Sequence, residues 1–370
     1  SPDPHSVGYM GLNNLRTTVI DLRGGMPDEI RSAWNSLQQE NPALQSPYFS
    51  AGFTEIIAAA GRPVELALLE DAGKILGIFP FERRLFGFSR PVGSFISDYQ
   101  GMICAPELKF DMVDIIRSCR LVAWNFDNQI QAQTNFAPFH HKTSRSPIID
   151  LAGGYKAYVH ERNTAGTEQI KKNNNLLRRL EREIGPLRFV AHSPTKELLD
   201  TVLQWKTEQF RRNRWRDIFS IPWVRHSMES IHAAQTPNFA GMLSAIYAGD
   251  QLVAAHFGMR SATVWHYWFP AYDQKFARYS PGVMLLLKMA EVASSLGIKT
   301  IDLGCGEHSY KWRLMNDFVP TASGSVALPG PLTFARRVWT PIENLPRKTR
   351  HLIGKTPFGQ WARRLRDHAQ

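Results

Sequence analysis

The chain has 370 residues, 43% of them hydrophobic, and a formal net charge of +11 at pH 7. This length can bury a large core and predicts two domains, while the lack of any run of eighteen apolar residues excludes a membrane-spanning helix. The cysteines Cys104, Cys119 and Cys305 are far apart and form no CxxC or Cys/His cluster, so we expect neither a disulfide framework nor a metal site. The N-terminal residues lack the basic and apolar regions of a signal peptide, and we expect a cytoplasmic protein.

The first half of the chain predicts helices over about 26–40, 49–61 and 109–120. Between them, residues 62–87 have the pattern of two strands joined by a turn at Asp71-Ala72-Gly73, which is typical of an antiparallel hairpin. A strand-like segment then ends in the glycines of Asp150-Leu151-Ala152-Gly153-Gly154, and we place a domain boundary there.

The second half repeats this order. Helices are predicted over about 167–184 and 195–213, and residues 239–273 predict a hairpin with its turn at Ala248-Gly249-Asp250, followed by a third strand. A helix over about 281–296 and a short strand over 300–304 come next. A helix pair, antiparallel strands, a helix and a further strand predict an α+β fold with a mixed, mostly antiparallel sheet.

The helix over 281–296 has the clearest start and stop signals. Ser280 is placed to cap it, Pro281 suits its first turn and Gly297 its end. Its sequence is apolar on nearly every side, which predicts a buried helix with its N-terminus pointing out of the core. Free N–H groups and the helix dipole make such an N-terminus suitable for phosphate, and Gly282 permits close approach; an ordinary capped core helix is the alternative.

Residues 302–306, DLGCG, resemble the first motif of S-adenosylmethionine-dependent methyltransferases. Position 308 of that pattern requires a third glycine but carries His308, and too little chain follows to build a doubly wound domain. We therefore exclude this class.

The combination of AYD (271–273), RYSPG (278–282) and DLGCGEHSYK (302–311), after the hairpin, resembles the GNAT acyl-CoA N-acyltransferases. More narrowly, it is similar to the bacterial GNAT-like family associated with cellulose and other exopolysaccharide (holdfast-type) biosynthesis. Residues 171–185 and 205–214 share that similarity, which covers about 155–325 well.

The resemblance implies tandem GNAT-like domains. Residues 1–154 would form a degenerate copy, 155–328 the acyltransferase domain, and 329–370 a basic Pro/Arg-rich tail. Residues 326–370 carry nine Lys/Arg against two acids, which predicts either a solvated tail or peripheral contact with the anionic inner membrane.

The resemblance also implies a donor site. In GNAT proteins the loop entering the helix after the fourth strand holds the pyrophosphate of acetyl-CoA or another acyl-CoA. The residues at that place are Arg278, Tyr279, Ser280, Pro281 and Gly282. The loop has one glycine and a proline where the common form has two small residues.

Attack of an amine on a thioester needs a neutral amine and a proton for the departing thiolate. We expect Glu307 or Asp302 to take the ammonium proton, although Asp302 could instead serve a turn and Glu307 could be a solvated loop residue. Tyr310 occupies the place where many GNAT enzymes keep the phenol that protonates the thiolate, and packing is its alternative role. His256 is a further candidate base, since histidine titrates near neutrality, but buried histidines are more often hydrogen-bonded core residues.

Five residues are candidates for acceptor binding. The third strand of the second half supplies His266, Trp268 and Tyr272, and the lysines Lys206 and Lys311 could hold a phosphate or carboxylate. A basic helical face, made of Lys171, Lys172, Arg178, Arg179 and Arg182, could receive an anionic acceptor or could simply be solvated.

We therefore expect an N-acyltransferase that moves an acyl group, most simply acetyl, to an amino sugar of an exopolysaccharide or its precursor; the sugar follows from the resemblance alone. One alternative is a Fem-like aminoacyl transferase, which takes its acyl group from aminoacyl-tRNA and would be the one case with a nucleic-acid partner. Another is a non-catalytic scaffold for polysaccharide synthesis, held at the inner membrane by the basic tail.

Overall fold

The computed structural model describes residues 15–306 and 309–330. We call residues 15–150 the first half and residues 154–327 the second half. The elements of the first half are, in order, β1 (Arg16–Asp21), α1 (Asp28–Glu40), α2 (Ala51–Ala59), β2 (Val64–Asp71), β3 (Lys74–Arg83), β4 (Phe88–Arg90), β5 (Ile103–Cys104), α3 (Met112–Ser118), β6 (Ala123–Ile130) and β7 (His140–Asp150).

The second half begins with two helices that have no counterpart in the first half, and then repeats its plan. Its elements are α4 (Gly154–Thr164), α5 (Gln169–Ile184), β8 (Leu187–Val190), α6 (Lys196–Arg212), α7 (Pro222–Ala233), β9 (Ala240–Ala248), β10 (Gln251–Arg260), β11 (Val264–Tyr272), α8 (Pro281–Val292), β12 (Thr300–Asp302), α9 (Ser309–Leu314) and β13 (Asp317–Ala327). Short 3-10 helices occupy several of the connections.

Both predicted hairpins are confirmed. In the first, Asp71 pairs with Lys74 across a two-residue turn in which Ala72 and Gly73 both have positive φ, of 46° and 81°. This left-handed turn matches the twist of the flanking strands. In the second half, Ala248 pairs with Gln251 across the turn at 249–250.

The described strands form one mixed sheet in the order β1-β2-β3-β4-β6-β13-β7-β12-β11-β10-β9-β8, with β5 beside β3. The two halves exchange their last strands. β7, from the first half, pairs with β12 of the second half, and β13, from the second half, pairs with β6 of the first half. The predicted boundary at 150–154 lies between β7 and α4, and the sheet on each side of it contains a strand from the other half. The division into domains at that point remains a prediction.

The largest core cluster is shared by the halves. It packs Trp34 of α1 and Phe53 of α2 with Val202 of α6, Met228 of α7 and Phe257 of β10, all of them buried. A second cluster surrounds α8, and a third lies under α3 in the first half. The pair α1 and α2 of the first half therefore packs against the pair α6 and α7 of the second half, and both halves contribute residues to the core between them.

The predicted helices of both halves are confirmed, and the helix over 281–296 consists of α8 and a 3-10 turn ending at Gly297, whose φ is 73°. The expected cap is wrong, because Ser280 adopts a left-handed conformation and its side chain caps no N–H. The prediction missed α4, α7 and α9. α4 buries only Tyr158, whereas the buried Val224, Met228 and Ile231 of α7 have helical spacing, so the signal for α7 was present in the sequence and was overlooked.

Within the described ranges, no helix is long and apolar enough to cross a membrane. Most of the basic tail lies outside the described residues, so its predicted role is not addressed by the fold.

Candidate functional site

A wedge-shaped opening separates β11 from β12. The two strands pair in parallel only at Val264–Thr300, Trp265–Ile301 and His266–Asp302. Because β12 ends at Asp302 while β11 continues to Tyr272, the strands part after the last pair. In the described part of the sheet, residues 267–272 have a strand partner only in β10. Their other edge offers backbone N–H and C=O groups to a bound molecule.

A bulge in β11 begins at this opening. The register with β10 shifts between Phe257 and Met259, which pair with Phe269 and His266, so that β11 carries one extra residue. At the bulge, the backbone N–H of Trp268 donates to the side chain of His256, at 3.0 Å from Nε2. The His256 ring stacks on Tyr267, with 4.8 Å between the ring centroids.

His256 and His266 lie on opposite faces of the sheet. His266 pairs directly with Met259, which belongs to the core shared by the halves, whereas His256 contacts Tyr267 in the cluster around α8. Burial lowers the pKa of His256 to about 3, so its ring is neutral and serves the bulge as a hydrogen-bond acceptor.

His266 is fully buried between two aspartates. Its Nε2 lies 3.2 Å from Asp98 Oδ2 and 3.1 Å from the Tyr48 hydroxyl, and its Nδ1 lies 3.5 Å from Asp302 Oδ2. Tyr48 and Asp98 come from the first half and Asp302 from the second. The candidate site is therefore built at the junction of the halves.

The two carboxylates determine the charge of His266. Burial alone would lower its pKa, but Asp302 and Asp98 outweigh that effect and raise the pKa to about 9. An imidazolium is thus expected at neutral pH, ion-paired with a carboxylate on either side, while the Tyr48 hydroxyl is the hydrogen-bond partner of Nε2. Burial, with the same carboxylates, raises the pKa of Tyr48 well above its ordinary value, so this phenol stays protonated.

Asp302 and Gly304 shape the mouth of the wedge. Asp302 is 3% exposed at its side chain and its Oδ1 accepts the N–H of Gly304 at 2.8 Å. The turn role considered for Asp302 is therefore real, and it coexists with the contact to His266. Gly304 has a φ of 69°, and a Cβ there would lie 2.7 Å from Asp98 Oδ2.

Two lysines approach the site from the second half. Lys311 Nζ donates to the carbonyls of Gly304 and Cys305 at 3.1 and 3.0 Å, and burial lowers its pKa. Lys206, on α6, donates to Gln209 at 2.8 Å, and burial followed by repulsion from Lys311 lowers its pKa to about 8. Both are 7–8% exposed, so each is held inside rather than on the surface.

Tyr310 lies near the first turn of α8. Burial and, after it, the nearby Tyr310 raise the pKa of Tyr267, whose hydroxyl donates to the Gly282 carbonyl at 2.9 Å. Burial raises the pKa of Tyr310 itself to about 12. The structure therefore brings the predicted phenol and the predicted donor loop to one region.

The donor loop is tied to α5. Glu183 of α5 accepts hydrogen bonds from Arg278 at 3.0 Å and from the Tyr279 hydroxyl. The Tyr279 side chain is buried and the Arg278 side chain is exposed. Of these two predicted donor-binding residues, Arg278 is therefore the one whose side chain is accessible to a bound ligand. A Cβ at Gly282 would meet only the Tyr267 hydroxyl, at 3.8 Å, which leaves the start of α8 open.

The other predicted binding residues are spread along β11 and α5. Trp268 stacks on Phe269 at 4.6 Å and is edge-on to Tyr48. A cavity of about 180 Å³ at the end of β11 is lined by Tyr272 together with Trp205, Gln209, Arg212, Asn213 and Gln274. The five basic residues of α5 are exposed, as the solvated-face alternative requires.

Glu307, the first predicted base, and His308 lie outside the described residues. Over the described ranges, no group of three or more His, Cys, Asp or Glu could hold a metal ion, and the three cysteines are free. Sequence reasoning missed Tyr48 and Asp98, since neither belongs to a motif and both lie in the half expected to be degenerate.

Comparisons with known proteins agree with this architecture. Residues 168–312, which include the wedge, α8 and the start of α9, match the family model described as an acetyltransferase (GNAT) domain. In a search of curated proteins, no sequence matches the chain.

Two solved structures are similar in fold. The crystal structure of FemX has a TM-score of 0.57 and 11% identity, covering 85% of this chain and 98% of that one. A conserved protein of unknown function from Bacteroides thetaiotaomicron VPI-5482 has a TM-score of 0.51 and 10% identity, covering 81% and 97%. The chain thus has a GNAT fold, as predicted, and with its GNAT acetyltransferase domain it is an acyltransferase enzyme.

Proposed function

We propose that this enzyme transfers an acyl group, most simply acetyl, from acyl-CoA to the amine of an amino sugar that belongs to an exopolysaccharide or its precursor. The observation that carries the proposal is the wedge between β11 and β12, which begins at the Asp98–His266–Asp302 cluster; Tyr267, the next residue of β11, donates to Gly282 in the first turn of α8. A thioester chain lying in this wedge would pair with the free edge of β11. Its carbonyl would then lie near the buried polar cluster.

The start of α8 suits the pyrophosphate of the donor. α8 is a twelve-residue helix whose first turn has no side-chain cap, and Pro281 leaves Gly282 as its first N–H donor. Amides at a helix N-terminus attract phosphate through their N–H groups and the helix dipole. Arg278, which is 59% exposed at its side chain, adds a positive charge beside them.

The acceptor would reach the cluster from the side of α6. There, Lys206, Trp268 and the cavity at Tyr272 offer a cation, an aromatic face and several amide groups, which suit a sugar with an anionic substituent. The cavity volume of about 180 Å³ is below the roughly 300–1,000 Å³ of sites for drug-sized ligands, so it would take a single ring. The amino sugar as such rests on the family resemblance.

The donor is tested by thermal stabilisation with a panel of acyl-CoAs. We expect acetyl-CoA or a longer acyl-CoA to raise the melting temperature, and Gly282→Trp to abolish the shift by covering the N-terminus of α8. Gly24→Trp is a matched control, because no atom lies within 4 Å of a Cβ placed at Gly24. No shift with any acyl-CoA would rule out the proposed donor.

The acceptor is tested by mass spectrometry of amino-sugar nucleotides incubated with the acyl-CoA that stabilises best. We expect one of them to gain the mass of the acyl group. Activity of a Glu307→Gln variant equal to that of the wild type would remove Glu307 as the base.

A Fem-like aminoacyl transferase is the second candidate. It is favoured by the fold similarity to FemX and by the exposed basic residues of α5, which could contact RNA phosphates. Binding of aminoacyl-tRNA by a protein that acyl-CoA does not stabilise would support it over the first proposal.

A further inference from the structure

We propose that Asp98, from the first half, accepts the proton of the acceptor's ammonium group, and that His266 positions it for this step. The inference rests on the proposed function and adds to it a catalytic residue from the half that the sequence predicts to be degenerate. Its starting point is the contact between Asp98 Oδ2 and His266 Nε2 at 3.2 Å.

Access distinguishes the three members of the cluster. The side chain of Asp98 is 25% exposed, whereas those of His266 and Asp302 are 0% and 3% exposed. Only Asp98 can therefore meet an incoming amine without a rearrangement. Asp302 is also committed, since one of its oxygens accepts the Gly304 N–H and the other faces His266.

Position supports the same assignment. Asp98 Oδ2 lies where a side chain of Gly304 would be, 2.7 Å from an ideal Cβ, and Gly304 lies two residues after the end of β12. The carboxylate is thus held against the backbone at the mouth of the wedge. Under the proposed function, the thioester carbonyl and the acceptor amine meet at this mouth.

Several other titratable groups surround Asp98. Charged or titratable groups that face the cluster are Tyr48, Tyr99, Asp127, Asp302, Cys305 and Lys311. Burial raises the pKa of Tyr48, Tyr99 and Cys305, so these three are neutral. The imidazolium of His266 forms an ion pair with Asp98, with 3.2 Å between Nε2 and Oδ2, which keeps the carboxylate beside the ring.

The proton balance is simple. The ammonium group gives one proton to the Asp98 carboxylate, and its nitrogen lone pair then forms the bond to the thioester carbonyl carbon. The carbon–sulfur bond breaks and the thiolate takes a proton from Tyr310 or water. The nitrogen then loses its second proton, which restores the Tyr310 or water that protonated the thiolate, and Asp98 returns its own proton to solvent. The products are the amide, free CoA and one released proton.

The test compares Asp98→Asn with the wild type over a range of pH, using the acyl-CoA and amino-sugar nucleotide identified by the proposed-function experiments. We expect kcat/KM at pH 7 to fall about a hundredfold or more. The thermal shift given by acyl-CoA should be unchanged, because the donor loop is intact. The loss of kcat/KM in Asp98→Asn should become smaller as the pH rises towards the pKa of the acceptor amine, because the amine is then already neutral and needs no base.

Asp114→Asn is the matched control, because it makes the same charge change on an exposed residue of the first half, 68% exposed at its side chain. Asp98→Glu should recover part of the activity. A constant deficit of Asp98→Asn at every pH would mean a structural role and would overturn the inference, as would activity within threefold of the wild type. If the wild type acylates no amine, the inference and the proposed acceptor chemistry fail together, whereas an active wild type with an active Asp98→Asn variant overturns the inference alone.

Discussion

The carboxylate of Asp98 occupies the space that a side chain at Gly304 would need, with 2.7 Å between Oδ2 and an ideal Cβ. The two residues belong to different halves of the chain, and their contact closes the polar cluster around His266. The glycine that resembles a nucleotide-binding motif in the sequence thus has a different reason to be there: it admits a carboxylate from the other half.

Gly304→Ala should therefore destabilise the protein and reduce its activity. The substitution combines a left-handed backbone, with a φ of 69°, and a displaced Asp98, which together should cost roughly 1–3 kcal/mol of the free energy of unfolding. Urea denaturation measures this cost. Gly24→Ala is the control, since it has neither a positive φ nor a neighbour within 4 Å, and an equal loss in both variants would contradict the explanation.

His266 should make stability depend on alkaline pH. Its folded-state pKa is raised from 6.5 to about 9, so the stabilisation from its charge is complete below pH 6.5 and is lost as the pH rises to about 9. Below pH 6.5 the free energy of unfolding of the wild type should exceed that of His266→Gln. This difference should shrink by up to about 3 kcal/mol as the pH rises to about 9. Denaturation of both proteins at several pH values measures the margin, and a margin independent of pH would show that His266 is neutral.

Asn173 of α5 should be replaceable with a gain in stability. It is 1% exposed, and neither atom of its amide has a hydrogen-bond partner among the described residues. Asn173→Leu keeps the branch at Cγ, although with a larger side chain, and removes the cost of burying an unpaired amide, so the free energy of unfolding should rise by about 1–2 kcal/mol. Asn175→Leu, at an exposed position of the same helix, should have little effect. A loss of stability in Asn173→Leu would indicate that an ordered water or ligand satisfies the amide.

Tyr310→Phe should lower kcat while leaving the KM for acyl-CoA nearly unchanged. Burial raises the pKa of Tyr310 to about 12, so the phenol is protonated at working pH and can give its proton to the thiolate. We expect kcat to fall about tenfold to a hundredfold, the low end for a general acid, because the thiolate is itself a good leaving group. Steady-state kinetics measures the change. Tyr155→Phe removes a phenol whose pKa is also raised to about 12 but which lies on α4, and it should retain wild-type kcat.

The sequence by itself predicted both hairpins and six of the helices in their order, but it missed α4, α7 and α9. The turns at 71–73 and 248–250 and the helix after Pro281 follow from local signals, because turn residues and apolar periodicity act over a few neighbouring residues. The predicted helix pair of the second half, α5 and α6, is not the pair that repeats α1 and α2, which is α6 and α7. The resemblance to GNAT proteins, in turn, pointed to Asp302, Tyr310 and the donor loop as one region of interest, with His266 as a candidate on the neighbouring strand.

Only the tertiary structure decided what surrounds that region. The exchange of β7 and β13 and the contact of Tyr48 with His266, 218 residues apart in the chain, depend on how the halves pack. The same packing placed His256 and His266 on opposite faces, because a one-residue bulge in β11 sets which side chains point to which side. No local pattern records such distant pairings, so the first half's contribution to the site, Asp98, became visible only in three dimensions.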